Sequence, residues 1–181
     1  STDALPQYYP QGRSNMTSCA ITGPRPSRFQ FRYNENDQRC MTLKEQIRAE
    51  LIRLCEQGVH VYYIGGALGV DMWCAEILLE LQGKQYPGPH IITAITFEGY
   101  DQEWKPEYQV RLALIRKHTE NVVVCAEPSS DSYRKRNFYM VDHADCLLAV
   151  YDINHPISRS GTAMTIRYAQ KKKLPIIFVQ P

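Results

Sequence analysis

From Ser18 to the end of the chain, short apolar runs alternate with apolar positions at helical spacing. Cys19-Ala20-Ile21-Thr22 predicts a first strand, ended by Gly23-Pro24. Leu43, Ile47, Leu51 and Leu54 recur at the spacing of one helix face. Thr42 with Glu45 offers that helix a capping box, and Gly58 a C-terminal stop. A second strand over 59–64 runs into Gly65-Gly66, and Val70, Trp73, Ile77, Leu78 and Leu81 mark the next helix. A third strand over 90–97 precedes a helix carrying Tyr108, Leu112 and Ile115, with Pro106 in its first turn. Strands over 121–125, 146–151 and 175–179 then alternate with helices over 131–144 and 161–172.

Strand–helix alternation of this kind implies βαβ units and a parallel sheet. The near-continuous apolar run at 145–151 suits a strand covered on both faces. The expected fold is α/β and Rossmann-like: a doubly wound, mainly parallel sheet with right-handed crossovers and strand order 3-2-1-4-5-6. Residues 1–17 hold Pro6, Pro10 and Gly12 with few aliphatics and read as an extended or flexible arm. Residues 18–181 read as a single domain, in keeping with a length of 181.

Composition changes this picture little. Apolar residues make up 44% and charged residues 22%, as in ordinary globular chains. The formal charge of +2 speaks against nucleic acid as a partner and leaves room for a small anionic ligand held by a local cluster of donors. Six cysteines without a CxxC pair, several inside apolar runs, fit a reduced, cytoplasmic setting. No membrane association is expected, because no apolar run approaches the length of a bilayer span. A homo-oligomer is left open.

Three small-residue loops follow predicted strands. They are Thr22-Gly23-Pro24-Arg25-Pro26, then Gly65-Gly66-Ala67-Leu68-Gly69-Val70-Asp71, then Ser158-Arg159-Ser160-Gly161-Thr162-Ala163. In open α/β sheets ligands sit outside the carboxyl ends of the strands, near a switch point in strand order. Glycine lets the backbone approach an anion closely, and a helix N-terminus adds unpaired N–H groups. Arg25, Arg134, Lys135, Arg136 and Arg159 supply charge beside these loops. Arg136-Asn137 stands out because it opens a helix just after the fourth strand, with Arg136 expected partly exposed and facing a phosphate. Asp71 suits either a helix cap or a ribose hydroxyl, the cap being favoured. Phe97, Tyr100 and Trp104 follow the third strand, where an aromatic ring could stack on a base, and Glu98 is the candidate acid or base. Asp142, His143 and Asp145 fall on the opposite sheet edge, and no metal site is expected there. HExxH, Walker A and GxSxG patterns are absent from the sequence.

Taken in order, Thr22-Gly23-Pro24-Arg25, the diglycine loop through Asp71, Arg136-Asn137 with Tyr139-Met140-Val141-Asp142, Leu148-Ala149-Val150-Tyr151-Asp152, and Gly161-Thr162-Ala163 with Arg167-Tyr168-Ala169 resemble the SLOG superfamily. That group includes the Smf/DprA DNA-processing proteins and the Lonely Guy phosphoribohydrolases, and the resemblance is to its YpsA-like branch. It implies a pocket for nucleotides or nucleotide-derived molecules, with Gly65, Gly66, Gly69, Gly161 and Thr162 cradling phosphate or ribose and Arg136 reaching the phosphate. The candidate ligand residues are thus Gly23, Arg25, Gly65, Gly66, Ala67, Gly69, Val70, Asp71, Arg136, Asn137, Ser160, Gly161 and Thr162. No further cofactor is indicated. The Lonely Guy pattern Pro-Gly-Gly-x-Gly-Thr-x-x-Glu is not reproduced: the glycine pair is missing and Thr165 stands at the Glu position. The expected function is therefore binding or sensing of an ADP-ribose-like ligand. A hydrolase of an N-glycosidic or phosphoester bond and a single-strand DNA binder are the alternatives.

Overall fold

The computed structural model describes residues 16–84 and 88–181. All six strands run parallel in one sheet. The elements follow in order: β1 (Ser18–Thr22), α1 (Gln38–Glu56), β2 (Val61–Ile64), α2 (Val70–Gln82), β3 (His90–Ile95), α3 (Pro106–Lys117), β4 (Glu120–Val123), α4 (Ser132–His143), β5 (Cys146–Val150), α5 (Gly161–Lys171) and β6 (Ile176–Val179). This is the expected Rossmann-like α/β architecture. The helix starting points differ in one case. Helix α1 begins five residues before the Thr42 box, capped by Asp37, whose side chain accepts from the Arg39 backbone N–H. The expected arm lies outside the described residues except for Met16 and Thr17. The Thr17 carbonyl accepts from His60 and Val61 N–H groups, and its own N–H donates to Asp145 at 2.8 Å.

Strand order is β4-β3-β2-β1-β5-β6, which corrects the expected 3-2-1-4-5-6. The chain steps outward from β1 to β4, then returns across the sheet to lay β5 beside β1. Right-handed crossovers permit either order, so alternation alone does not decide between them. The exposure of Glu120, Asn121 and Val123 fits β4 as an edge strand rather than a central one.

That return fixes the layers. Helices α1, α2 and α3 pack on one face, α4 and α5 on the other. The first face is filled by large side chains, among them Tyr62, Ile64, Trp73, Leu51 and Leu112. The second is thinner: Ala20, Ala94 and Ala149 of the sheet meet Met140, Val141, Ile166 and Ala169. Helix α4, spanning the return, contacts both β1 and β3. Its N-terminal half therefore comes near the carboxyl end of β2, although β4, which precedes it, is at the sheet edge.

Candidate functional site

Three loops at the carboxyl ends of the strands meet with the start of α4. The loop after β1 touches the loop after β2. Gly69, at φ +87°, begins α2, and a Cβ there would stand 2.7 Å from the Pro24 carbonyl oxygen. That backbone conformation and that approach together require glycine. At Gly65 the demand is steric: a Cβ would lie 2.6 Å from both Arg136 Nη1 and Asp71 Oδ2. The loop after β5 joins through Asn137, whose Nδ2 faces Gly161.

Arg136 is only 4% exposed, so the expectation of a partly exposed side chain is corrected. Its Nη1 donates to the Gly65 carbonyl, its Nε donates to Asn137 Oδ1 at 2.8 Å, and its Cζ lies 5.7 Å over the Tyr133 ring. The physical reason is the α4 return over a face lined by alanines, which brings the helix down onto β2. Asp71, 6% exposed, does not cap α2; its Oδ2 accepts from the Ala67 N–H at 3.2 Å and braces the diglycine loop from behind. No ion pair joins Asp71 to Arg136 among the described residues. Burial pushes the Asp71 carboxyl up and the Arg136 guanidinium down, and the attraction between them offsets only part of this. Buried opposite charges thus flank Gly65 without closing on each other.

Arg25 completes the cluster. It is exposed, has no ion-pair partner among the described residues, and lies 5.1 Å over the Tyr133 ring. Two arginines therefore share one aromatic ring, a cation–π arrangement that orients both. Sequence reasoning missed Tyr133, although an exposed aromatic beside Arg134-Lys135-Arg136 is a signal of single-strand or phosphate recognition. Tyr100 was expected to offer a stacking surface. Its ring is instead buried edge-on against Trp104 and Phe97, and its hydroxyl donates to the Gly66 carbonyl at 2.5 Å. Successive carbonyls of the diglycine loop are thus held from two sides, by Arg136 and Tyr100.

The other candidates divide. Ser160 caps α5, accepting from the Ala163 N–H at 3.0 Å, with Gly161 exposed and Thr162 buried beside it. Val70 is fully buried, its side chain against Gly23 and its N–H 3.4 Å from the Pro24 carbonyl. Glu98 lies outside the cluster, gripped by both Nη atoms of Arg116 at 2.9 and 3.1 Å. The Arg116 hydrogen bonds hold its carboxyl below the usual range, which opposes a general-acid role. Thr165 is fully buried and donates its hydroxyl to the Gly161 carbonyl at 2.8 Å. On the opposite edge, Asp142 accepts from the Tyr168 hydroxyl, His143 meets the Tyr139 carbonyl, and Asp145 braces Thr17 and Ser18. Among the described residues no helix is long and apolar enough to cross a membrane.

The family model described as YspA SLOG matches residues 19–181. The chain belongs to the YspA SLOG family. UPF0398 proteins of Bacillus thuringiensis (strain Al Hakam) and Bacillus cereus (strain AH187) are each 29% identical over 162 residues, covering 87% of this chain and 84% of theirs. Among solved structures, DNA processing protein A of Helicobacter pylori superposes with a TM-score of 0.57 at 18% identity. The match covers 89% of this chain and 64% of that protein's length. That relative is described for its mode of binding single-stranded DNA, so the expectation that near-neutral charge speaks against nucleic acid is corrected.

Proposed function

We propose that this chain binds single-stranded DNA, seating a phosphate at the loop cluster after β1 and β2. The observation that carries the reading is Arg25: exposed, without a carboxylate partner among the described residues, and sharing the Tyr133 ring with buried Arg136. Single-strand binders combine cations that track the backbone with aromatic side chains. Here Arg25 is the group that meets the phosphate. Arg136 works from beneath, holding the diglycine carbonyl and adding charge without contact. The fold likeness to a protein that binds single-stranded DNA supports the same reading.

A second reading is a small nucleotide-derived ligand of ADP-ribose type, favoured by Asp71. A buried carboxylate beside a glycine floor suits a ribose hydroxyl better than a phosphodiester. Cleavage of an N-glycosidic bond finds less support, because Thr165 is neutral and its hydroxyl is spent within α5.

The experiment is fluorescence anisotropy with labelled oligo(dT), wild type beside Arg25→Ala, with circular dichroism to confirm the fold. Wild type should bind, and Arg25→Ala should weaken binding by roughly 10-fold, the loss of one charged hydrogen bond. No binding of any oligonucleotide, with thermal stabilisation by ADP-ribose, would hand the site to the second reading.

A further inference from the structure

The near-neutral chain hides an uneven distribution. Residues 131–173 hold eight Lys or Arg against four Asp, while the remainder of the chain is slightly acidic. This segment supplies α4 and α5, which form one face of the sheet. Lys135, Arg159, Arg167, Lys171 and Lys173 are exposed and have no ion-pair partner among the described residues. Arg167 Nη1 donates to the Ser158 carbonyl at 2.9 Å, which ties Arg167 to the loop after β5, a part of the loop cluster. Arg167 and Lys171, four residues apart, point the same way.

Two more cations are held in place. Phe138 of α4 stacks on Tyr168 of α5, centroids 3.7 Å apart and planes 9° apart. Arg134 covers Phe138 at 5.8 Å and Lys172 covers Tyr168 at 5.4 Å. The four side chains form a cation–ring–ring–cation stack across the two helices. Arg134 pairs with Asp131 at 3.1 Å and Lys172 with Asp142 at 3.8 Å, both on the surface, where such pairs contribute little. Cations near a helix C-terminus complement its dipole, and that accounts for Lys171 and Lys172. It does not account for Arg134 and Lys135 at the start of α4, Arg159 just before α5, or Arg167 in the middle of α5.

We propose that the outer face of α4 and α5 is a track along which single-stranded DNA leaves the pocket, its phosphates held by Arg167, Lys171 and Lys173 beside the Arg134–Phe138–Tyr168–Lys172 stack. This rests on the single-strand reading of the pocket. The faces of Phe138 and Tyr168 are already covered, so the track reads phosphates and not bases, and it is indifferent to sequence. Helix α5 is about 16 Å long at 1.5 Å per residue, room for about four phosphates at the ~3.4 Å spacing of a stacked strand.

The test compares a short oligo(dT) of about four nucleotides, which fills only the pocket, with one of about 20 that reaches the track. The double variant Lys171→Gln, Lys173→Gln touches only exposed side chains with no hydrogen bond to the loops among the described residues. It should weaken binding of the long strand by roughly 5-fold, lower the salt slope by about 1.4, and leave the short strand unchanged. Equal affinity and slope for wild type and variant with the long strand overturns the track and spares the pocket. Equal loss for both lengths overturns it too, placing these cations at the pocket. Failure of wild type to bind either strand overturns the single-strand reading itself.

Discussion

Two arginines, Arg111 and Arg136, both feel nearby carboxylates, and they end in opposite states. Arg111 of α3 is locked between Glu35 and Glu76, each at 2.6 Å, and Lys44 shares Glu35 at 2.6 Å. Hydrogen bonds from Arg111 to Glu35 and Glu76, outweighing burial, hold the Arg111 proton more tightly than usual. Arg136 has a carbonyl, an amide and a ring as partners, and burial loosens its proton. The first arginine has its charge answered within the protein and joins α1, α2 and α3 into one layer. The second has no carboxylate within ion-pair distance among the described residues. What separates the two is therefore not burial but the number of carboxylates in reach.

The largest effect should come from breaking the answered network. Glu35→Gln removes the charge between Arg111 and Lys44 and should cost about 2 kcal/mol in urea unfolding at pH 7. Burial pushes the Glu35 carboxyl up, but the hydrogen bonds from Arg111 and Lys44 prevail and leave it below its ordinary 4.5. Its stabilisation is thus present above that value and fades as pH falls through the lowered pKa, so wild type and variant should converge in acid. Oligonucleotide binding should not change. A loss of binding equal to that of Arg25→Ala would erase the distinction between the two regions.

Gly65→Ala should come next. The added methyl would press on Arg136 Nη1 and Asp71 Oδ2 together. Expected are a stability loss of about 1–2 kcal/mol by overpacking and a clear drop in affinity for oligo(dT). Full affinity in a folded variant would mean that Arg136 can shift without consequence, and its hold on the diglycine carbonyl would then be incidental.

The smallest effect should be that of Asp71→Asn, and its sign is the informative part. Burial raises the Asp71 pKa above 3.8, so its charge opposes folding as pH rises through the window between that value and the raised one. The stability of Asp71→Asn relative to wild type should therefore rise with pH there, opposite in direction to Glu35→Gln. Paired denaturation series from acid to neutral pH would check this, and a relative stability that falls with pH would refute it.

Much of the fold was legible because each strand and helix carries its own period. The six strands and five helices fall where alternation and helical spacing put them. The return of the chain to β5 was not legible, because strand order is a matter of which edges meet and leaves no mark on local pattern. The weak apolar character of Glu120 and Asn121 was the one clue that β4 is an edge. At the site, Gly65, Gly69 and Arg136 were readable from loop chemistry. The burial of Arg136 was not, because it follows from alanines on three different strands, at positions 20, 94 and 149, that let α4 settle. Tyr133 was passed over because its place depends on two arginines far apart in sequence, Arg25 and Arg136, reaching one ring. A whole-chain charge sum also hid the excess of Lys and Arg in residues 131–173.

The pairing of β1 with β5 also governs the order in which the molecule can be made. Cys19 must meet Cys146 across nearly the whole described chain, whereas β1 to β4 pair with sequential neighbours. Contacts between distant residues are entropically slow to form. On a ribosome the first four strands can assemble while the inner edge of β1 stays open, and neither Arg136 nor Ser160 has yet been placed. The loop cluster is then completed only at the end, and a chain cut short before β5 would fold a sheet that lacks the loop after β5.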